Sequence, residues 1–164
     1  MHLAEELARQ WIGSSLKAAD VQGAGLLTRS LASYWALHFM EKTWSREQTE
    51  KWLKKAYDDY EKERSKEAIE EKNLLLVDKA AYISRDKGGL VLYGLAERMG
   101  AEKFDRWLAQ WIRQANQKEG FLTSANFYAD LKEFVPENLH SFLWNWFETC
   151  GELGDKYQVG KNVR

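Results

Sequence analysis

The stretch Glu5-Glu6-Leu7-Ala8-Arg9-Gln10-Trp11 decides how the rest of the chain is read. It lies in a segment, Leu3 to Ile12, that reads as a short helix ended by Gly13-Ser14-Ser15. Residues four apart on a helix are neighbours, so Glu5 and Arg9 stand one turn apart with the acid on the N-terminal side, the favourable order for an ion pair. A carboxylate at position 5 is a possible metal ligand. A guanidinium at position 9 is not, because it stays protonated and has no lone pair to give. The histidines of the chain, His2, His38 and His140, show no H-x-x-x-H spacing.

Outward from this segment the chain reads as helices joined by loops. Lys17 to Gly25 is a loop rich in Ala and Gly. Leu26 to Thr43 is a strongly apolar helix, with Leu27, Leu31, Tyr34, Trp35 and His38 at helical spacing. Ser45-Arg46-Glu47-Gln48 is a capping box, and the helix it starts runs to about Lys66. Ile69 to Ile83 is less regular, and its apolar run Leu74-Leu75-Leu76-Val77 suits extended backbone. Gly88 to Met99 reads as a helix with Gly100 as C-cap. Ala101 to Gln117 is amphipathic through Phe104, Trp107, Leu108, Trp111 and Ile112. Ser124 caps a helix to Val135, and Pro136-Glu137-Asn138 opens a last one through Phe142, Trp146 and Phe147. No repeat and no linker interrupts the pattern. The expectation is an all-α single domain of about seven helices, packed ridge into groove, over residues 1–150. The polar tail 151–164 is expected to be frayed or extended.

Composition narrows the class. At 164 residues, 45% hydrophobic and 30% charged, the chain is globular and long enough for one real core. A net charge of -1 with no long block of one sign argues against nucleic acid as a partner. No apolar run approaches the ~20 residues of a membrane span, and no signal peptide is visible, so soluble cytoplasmic or recombinant expression is expected. The lone Cys150 forms no internal disulfide and reads as a small apolar filler rather than a nucleophile. Of Trp35, Trp44, Trp52, Trp107, Trp111, Trp144 and Trp146, most are expected in the core and one or two on the surface, where they suit a protein-binding or self-associating patch. The charge run Glu61 to Lys72 reads as a solvated helix end, and Lys87-Gly88-Gly89 lacks the spacing of a phosphate loop.

The opening stretch resembles the zinc helix of the gluzincin aminopeptidases, H-E-L-A-H-Q-W, in which two histidines bind zinc and the glutamate between them is the general base. Glu6, Leu7, Ala8, Gln10 and Trp11 match, and Glu5 and Arg9 stand at the histidine positions. Leu26-Leu27-Thr28-Arg29-Ser30-Leu31-Ala32-Ser33-Tyr34 resembles the family's next helix, L-x-E-x-L-A-x-Y, with Arg29 at the third ligand position. Arg85-Asp86-Lys87-Gly88-Gly89 resembles its Y-x-K-G segment, with Arg85 in place of the tyrosine that stabilises the tetrahedral intermediate, and Tyr82 is not the matched position. The resemblance covers roughly residues 3–150, the helical half of a thermolysin-like catalytic domain and the helices after it. The family's upstream sheet, with its G-x-M-E-N edge strand, has no counterpart.

What the resemblance implies is a peptidase framework without its zinc site. Zinc must lower the pKa of its bound water to about 7, and with Glu5, Arg9 and Arg29 at the ligand positions only one ligand is left. No cofactor and no catalytic residue is expected. Glu6 has no activated water to deprotonate. Random decay does not favour large charged side chains at four convergent positions, so the resemblance implies a redesigned, truncated and metal-free helical domain serving as a scaffold or protein-binding module. The alternative is a pseudopeptidase that holds a peptide or an anion in the former cleft through Glu5, Glu6, Arg9, Arg29 and Arg85. A protein or peptide partner, and a monomer or homodimer, fit either reading.

Overall fold

In the computed structural model, residues 2–117, 120–151 and 153 are described. Among them lie seven α-helices and no strand, as expected of an all-α fold. Helix α1 (His2–Ser15) runs through Gly13 to Ser15, three residues further than the sequence suggests. A π-helical turn, Leu26–Ser30, continues into α2 (Leu31–Thr43). Leu26, Leu27, Leu31, Ala32, Tyr34, Ala36, Leu37 and Met40 are buried, so this helix is covered on nearly every side and forms the axis of the core. Helix α1 packs on it, as does α4.

Helix α3 (Arg46–Arg64) starts at the expected capping box: Gln48 N–H donates to the Ser45 hydroxyl and Ser45 N–H to the Gln48 side chain. It buries Thr49, Ala56 and Tyr60 and carries i,i+4 ion pairs on its outer face. The chain then turns through 65–80 without regular structure. Leu74 to Val77 is a turn, not a strand, with Leu74 and Val77 in the core and Leu76 exposed. The charge run before it is not uniformly solvated either, since Glu71 is buried. The one β-bridge among the described residues joins Ala18 to Leu122.

A second π-helical turn, Tyr82–Lys87, leads into α4 (Gly88–Met99). Its two leading glycines set how closely it approaches the axial helix. A Cβ on Gly88 meets Ser30 Oγ at 2.1 Å, and one on Gly89 meets Ser33 Oγ at 2.3 Å and Ser33 Cβ at 2.7 Å. Gly89→Ala is therefore expected to lower stability by about 1–3 kcal/mol through overpacking, outweighing the helix propensity of about 1 kcal/mol that alanine adds. Urea denaturation checks this: an unchanged or higher midpoint means that Ser33 yields.

After Gly100, which caps α4 with φ 86°, come α5 (Ala101–Gln117) and α6 (Ser124–Phe134). The N-cap of α6 is Thr123, not Ser124: Thr123 forms a capping box with Asn126, and the Ser124 hydroxyl donates to the Leu75 carbonyl at 2.8 Å. The last helix is three short pieces, a 3-10 turn Glu137–Leu139, α7 (His140–Leu143) and a π-helical turn Trp144–Glu148. Beyond it, Gly151 and Leu153 are buried, and the remainder of the tail lies outside the described residues. Of the eight tryptophans, Trp111 is buried; Trp35, Trp107 and Trp146 pack half-buried against the core; Trp52 is half-buried; Trp11, Trp44 and Trp144 are exposed. Of the seven weighed from sequence, two, Trp44 and Trp144, are exposed, as expected; Trp11 adds a third exposed ring on α1.

Tyrosine–carboxylate hydrogen bonds tie these elements together. Tyr34 donates to Asp105 at 2.6 Å, Tyr60 to Glu71 at 2.6 Å, Tyr93 to Glu41 at 2.8 Å, Tyr128 to Glu148 at 2.5 Å, and Tyr82 to Glu67. Burial, with the adjacent carboxylate, pushes each phenol above its ordinary value, so all five remain donors.

Candidate functional site

The five positions singled out by sequence line one cleft of about 470 Å³. Glu5, Glu6 and Arg9 come from α1, Arg29 from the first π-helical turn and Arg85 from the second. The turns are held side by side by the Ser30 hydroxyl, which donates to the Ser84 carbonyl at 2.5 Å. Helix α3 closes the cleft with Trp52, Lys55 and Asp59, and Asp86 completes it. These last four were not anticipated. The capping-box helix places 52, 55 and 59 on one face at i, i+3 and i+7, a spacing visible in the sequence, but nothing in it aims that face at α1.

The ion pairs differ from the expected Glu5–Arg9 contact. Arg9 Nη2 donates to Glu6 Oε2 at 3.0 Å, an i,i+3 pair. Glu5 lies close enough to Arg85 to act on its charge. Arg85 forks onto its own neighbour, with Nε to Asp86 Oδ1 at 2.7 Å and Nη2 to Oδ2 at 2.8 Å. That hydrogen bonding holds the guanidinium above its ordinary pKa, against the opposing effect of burial. Burial pushes the Asp86 carboxyl up more than Arg85 brings it down. Lys55 Nζ meets Asp59 Oδ2 at 2.7 Å. Arg29 behaves differently. Its Nη1 donates to the Lys79 carbonyl at 3.0 Å, and among the described residues no carboxylate lies within 4.0 Å of it.

The side chains at the positions that the resemblance would assign to zinc ligands do not fit a zinc ion. The Arg9 guanidinium has no lone pair and is engaged by Glu6, and that of Arg29 is engaged by a carbonyl. Among the described residues no three His, Cys, Asp or Glu are grouped to hold a metal ion. Four cations (Arg9, Arg29, Lys55, Arg85) face four carboxylates (Glu5, Glu6, Asp59, Asp86), so the lining is balanced in formal charge.

The other titratable candidates lie away from this cleft. His38 is buried with Nε2 2.7 Å from Asp105, and His140 Nε2 is 3.0 Å from the Val135 carbonyl. The side chain of His2 is outside the described residues. The Cys150 thiol donates to the Glu71 carbonyl at 2.7 Å, and burial pushes its pKa up, which suits a filler and not a nucleophile. Lys87 is 1% exposed and meets Glu71 Oε1 at 2.5 Å, and it does not line the cleft.

No family model matches the chain, and neither a curated protein nor a solved structure does.

Proposed function

We propose that this chain is a non-catalytic, metal-free domain of gluzincin aminopeptidase ancestry that holds a short peptide in its charge-balanced cleft. The observation carrying the reading is the convergence of Glu5, Glu6, Arg9, Arg29 and Arg85 on one 470 Å³ space, a volume suited to a small ligand. Balanced lining charge favours a zwitterion, which brings one charge of each sign. Charged replacements gathered on one wall also suit a site redesigned to do without its metal. The direct test is titration of the isotope-labelled full chain with trialanine, followed by NMR. The resonances of Trp52, Arg29 and Arg85 are expected to shift together at millimolar peptide; resonances that stay still throughout defeat the reading.

Ancestry has its own test. Combining Glu5→His, Arg9→His and Arg29→Glu is expected to create a one-to-one zinc site, since the matched helices would present the family's three ligands. A folded triple variant that leaves Co²⁺ with the spectrum of the aqueous ion removes the resemblance from the account.

A scaffold or protein-binding module is the second reading. Leu3, Leu7 and Trp11 favour it: they are 75%, 58% and 47% exposed and form an i, i+4, i+8 stripe on α1. Light scattering across a concentration series tests its self-associating form, and an unchanging monomer mass counts against that form.

A further inference from the structure

The cleft's three arginines are not equivalent, and their difference indicates which part of a ligand goes where. Arg9 and Arg85 already have carboxylates, at 3.0 Å and 2.7 Å. Arg29 spends Nη1 on the Lys79 carbonyl, and its Nε/Nη2 edge makes no hydrogen bond among the described residues. We infer that Arg29 is the anchor for the C-terminal carboxylate of the bound peptide, taken in a two-pronged fork by that edge. The inference rests on the peptide-binding reading above and sharpens it from a peptide to a peptide with a free C-terminus.

The chemistry favours a carboxylate over other oxyanions. A planar carboxylate matches the guanidinium edge with two parallel N–H···O bonds. A phosphate dianion would add two negative charges beside Glu5, Glu6, Asp59 and Asp86, with no cation of its own to offset them. A peptide zwitterion brings its ammonium with it. The anchor is also firmly placed. Arg29 projects from a π-helical turn whose neighbours Leu26, Leu27 and Ser30 are buried, and the carbonyl of Lys79 fixes one of its nitrogens. Single π-helical turns recur at functional sites.

The experiment compares trialanine with trialaninamide on the full chain, wild type and Arg29→Gln, with affinities from NMR titration. Wild type is expected to bind trialanine at least about tenfold more tightly, the scale of losing a charge-assisted pair. In Arg29→Gln the two peptides should bind alike, at the wild-type affinity for the amide. Equal affinities in the wild type, or a gap that persists in Arg29→Gln, overturn the anchor while the cleft reading stands. Absence of binding by both peptides overturns both. Inorganic phosphate binding more tightly than trialanine overturns the carboxylate assignment in favour of a free oxyanion. Should Arg29→Gln fail to fold, the Arg29 Nε–H resonance of the wild type decides: it is expected to move with trialanine and not with trialaninamide, and equal movement sinks the assignment.

Discussion

Replacing Lys87 with methionine is expected to lower the unfolding free energy by about 3 kcal/mol, the low end for breaking a buried ion pair. The ammonium sits 2.5 Å from Glu71 Oε1 and over the rings of Tyr60 and Trp146, at 5.4 and 5.7 Å. Removing it leaves the Glu71 carboxylate in a pocket built for a charge pair. The low end applies because two partners survive: Tyr60 donates to Glu71 Oε2 at 2.6 Å, and Arg64 Nε stands 3.4 Å away. Adding Glu71→Leu to Lys87→Met is expected to recover most of the loss, because an apolar pair does not need the missing charge. Urea unfolding of both variants followed by circular dichroism checks this. A Lys87→Met midpoint equal to wild type would mean that Tyr60 and Arg64 together suffice for Glu71.

The other large effect is expected at Phe104, which is fully buried where α5 meets α2. Its ring stands edge-on to Tyr34 at 5.2 Å and tilted against Trp107 at 5.8 Å. Phe104→Ala is expected to cost about 4 kcal/mol, the lost transfer energy plus the cavity left among rings that cannot collapse inward. Phe104→Leu, closer in volume, should cost roughly 1 kcal/mol. Calorimetric unfolding measures both, and similar costs for the two substitutions would show that the neighbouring aromatics refill the space.

The parts of the fold governed by local rules were legible in the sequence. The Ser45–Gln48 capping box, the apolar run from Leu26 and the C-cap at Gly100 each depend on a few adjacent residues, and all three are in the structure. Errors arise where a local rule has two near-equal solutions. Thr123 and Ser124 both carry a capping hydroxyl, and the long-range bond from Ser124 to the Leu75 carbonyl leaves Thr123 to cap. Leu74 to Val77 has strand composition, but no neighbouring strand exists for it to pair with among the described residues.

The candidate site was legible to a smaller degree. Motif spacing put Glu5, Glu6, Arg9, Arg29 and Arg85 on one list, and they do share a cleft. Which charge pairs with which was not readable. Arg9 takes Glu6 rather than Glu5, and Arg85 takes the adjacent Asp86. Glu71 and Lys87 are the clearest case. Each sits among polar or glycine neighbours that look solvated, and both are buried as a pair that no local pattern announces.

The depth of Lys87 makes its amine a built-in gauge of integrity. Acylating reagents should modify the surface lysines of the folded chain within seconds to minutes and reach position 87 only through opening of the domain, so the lag of that one acylation behind the rest times how often the helices come apart.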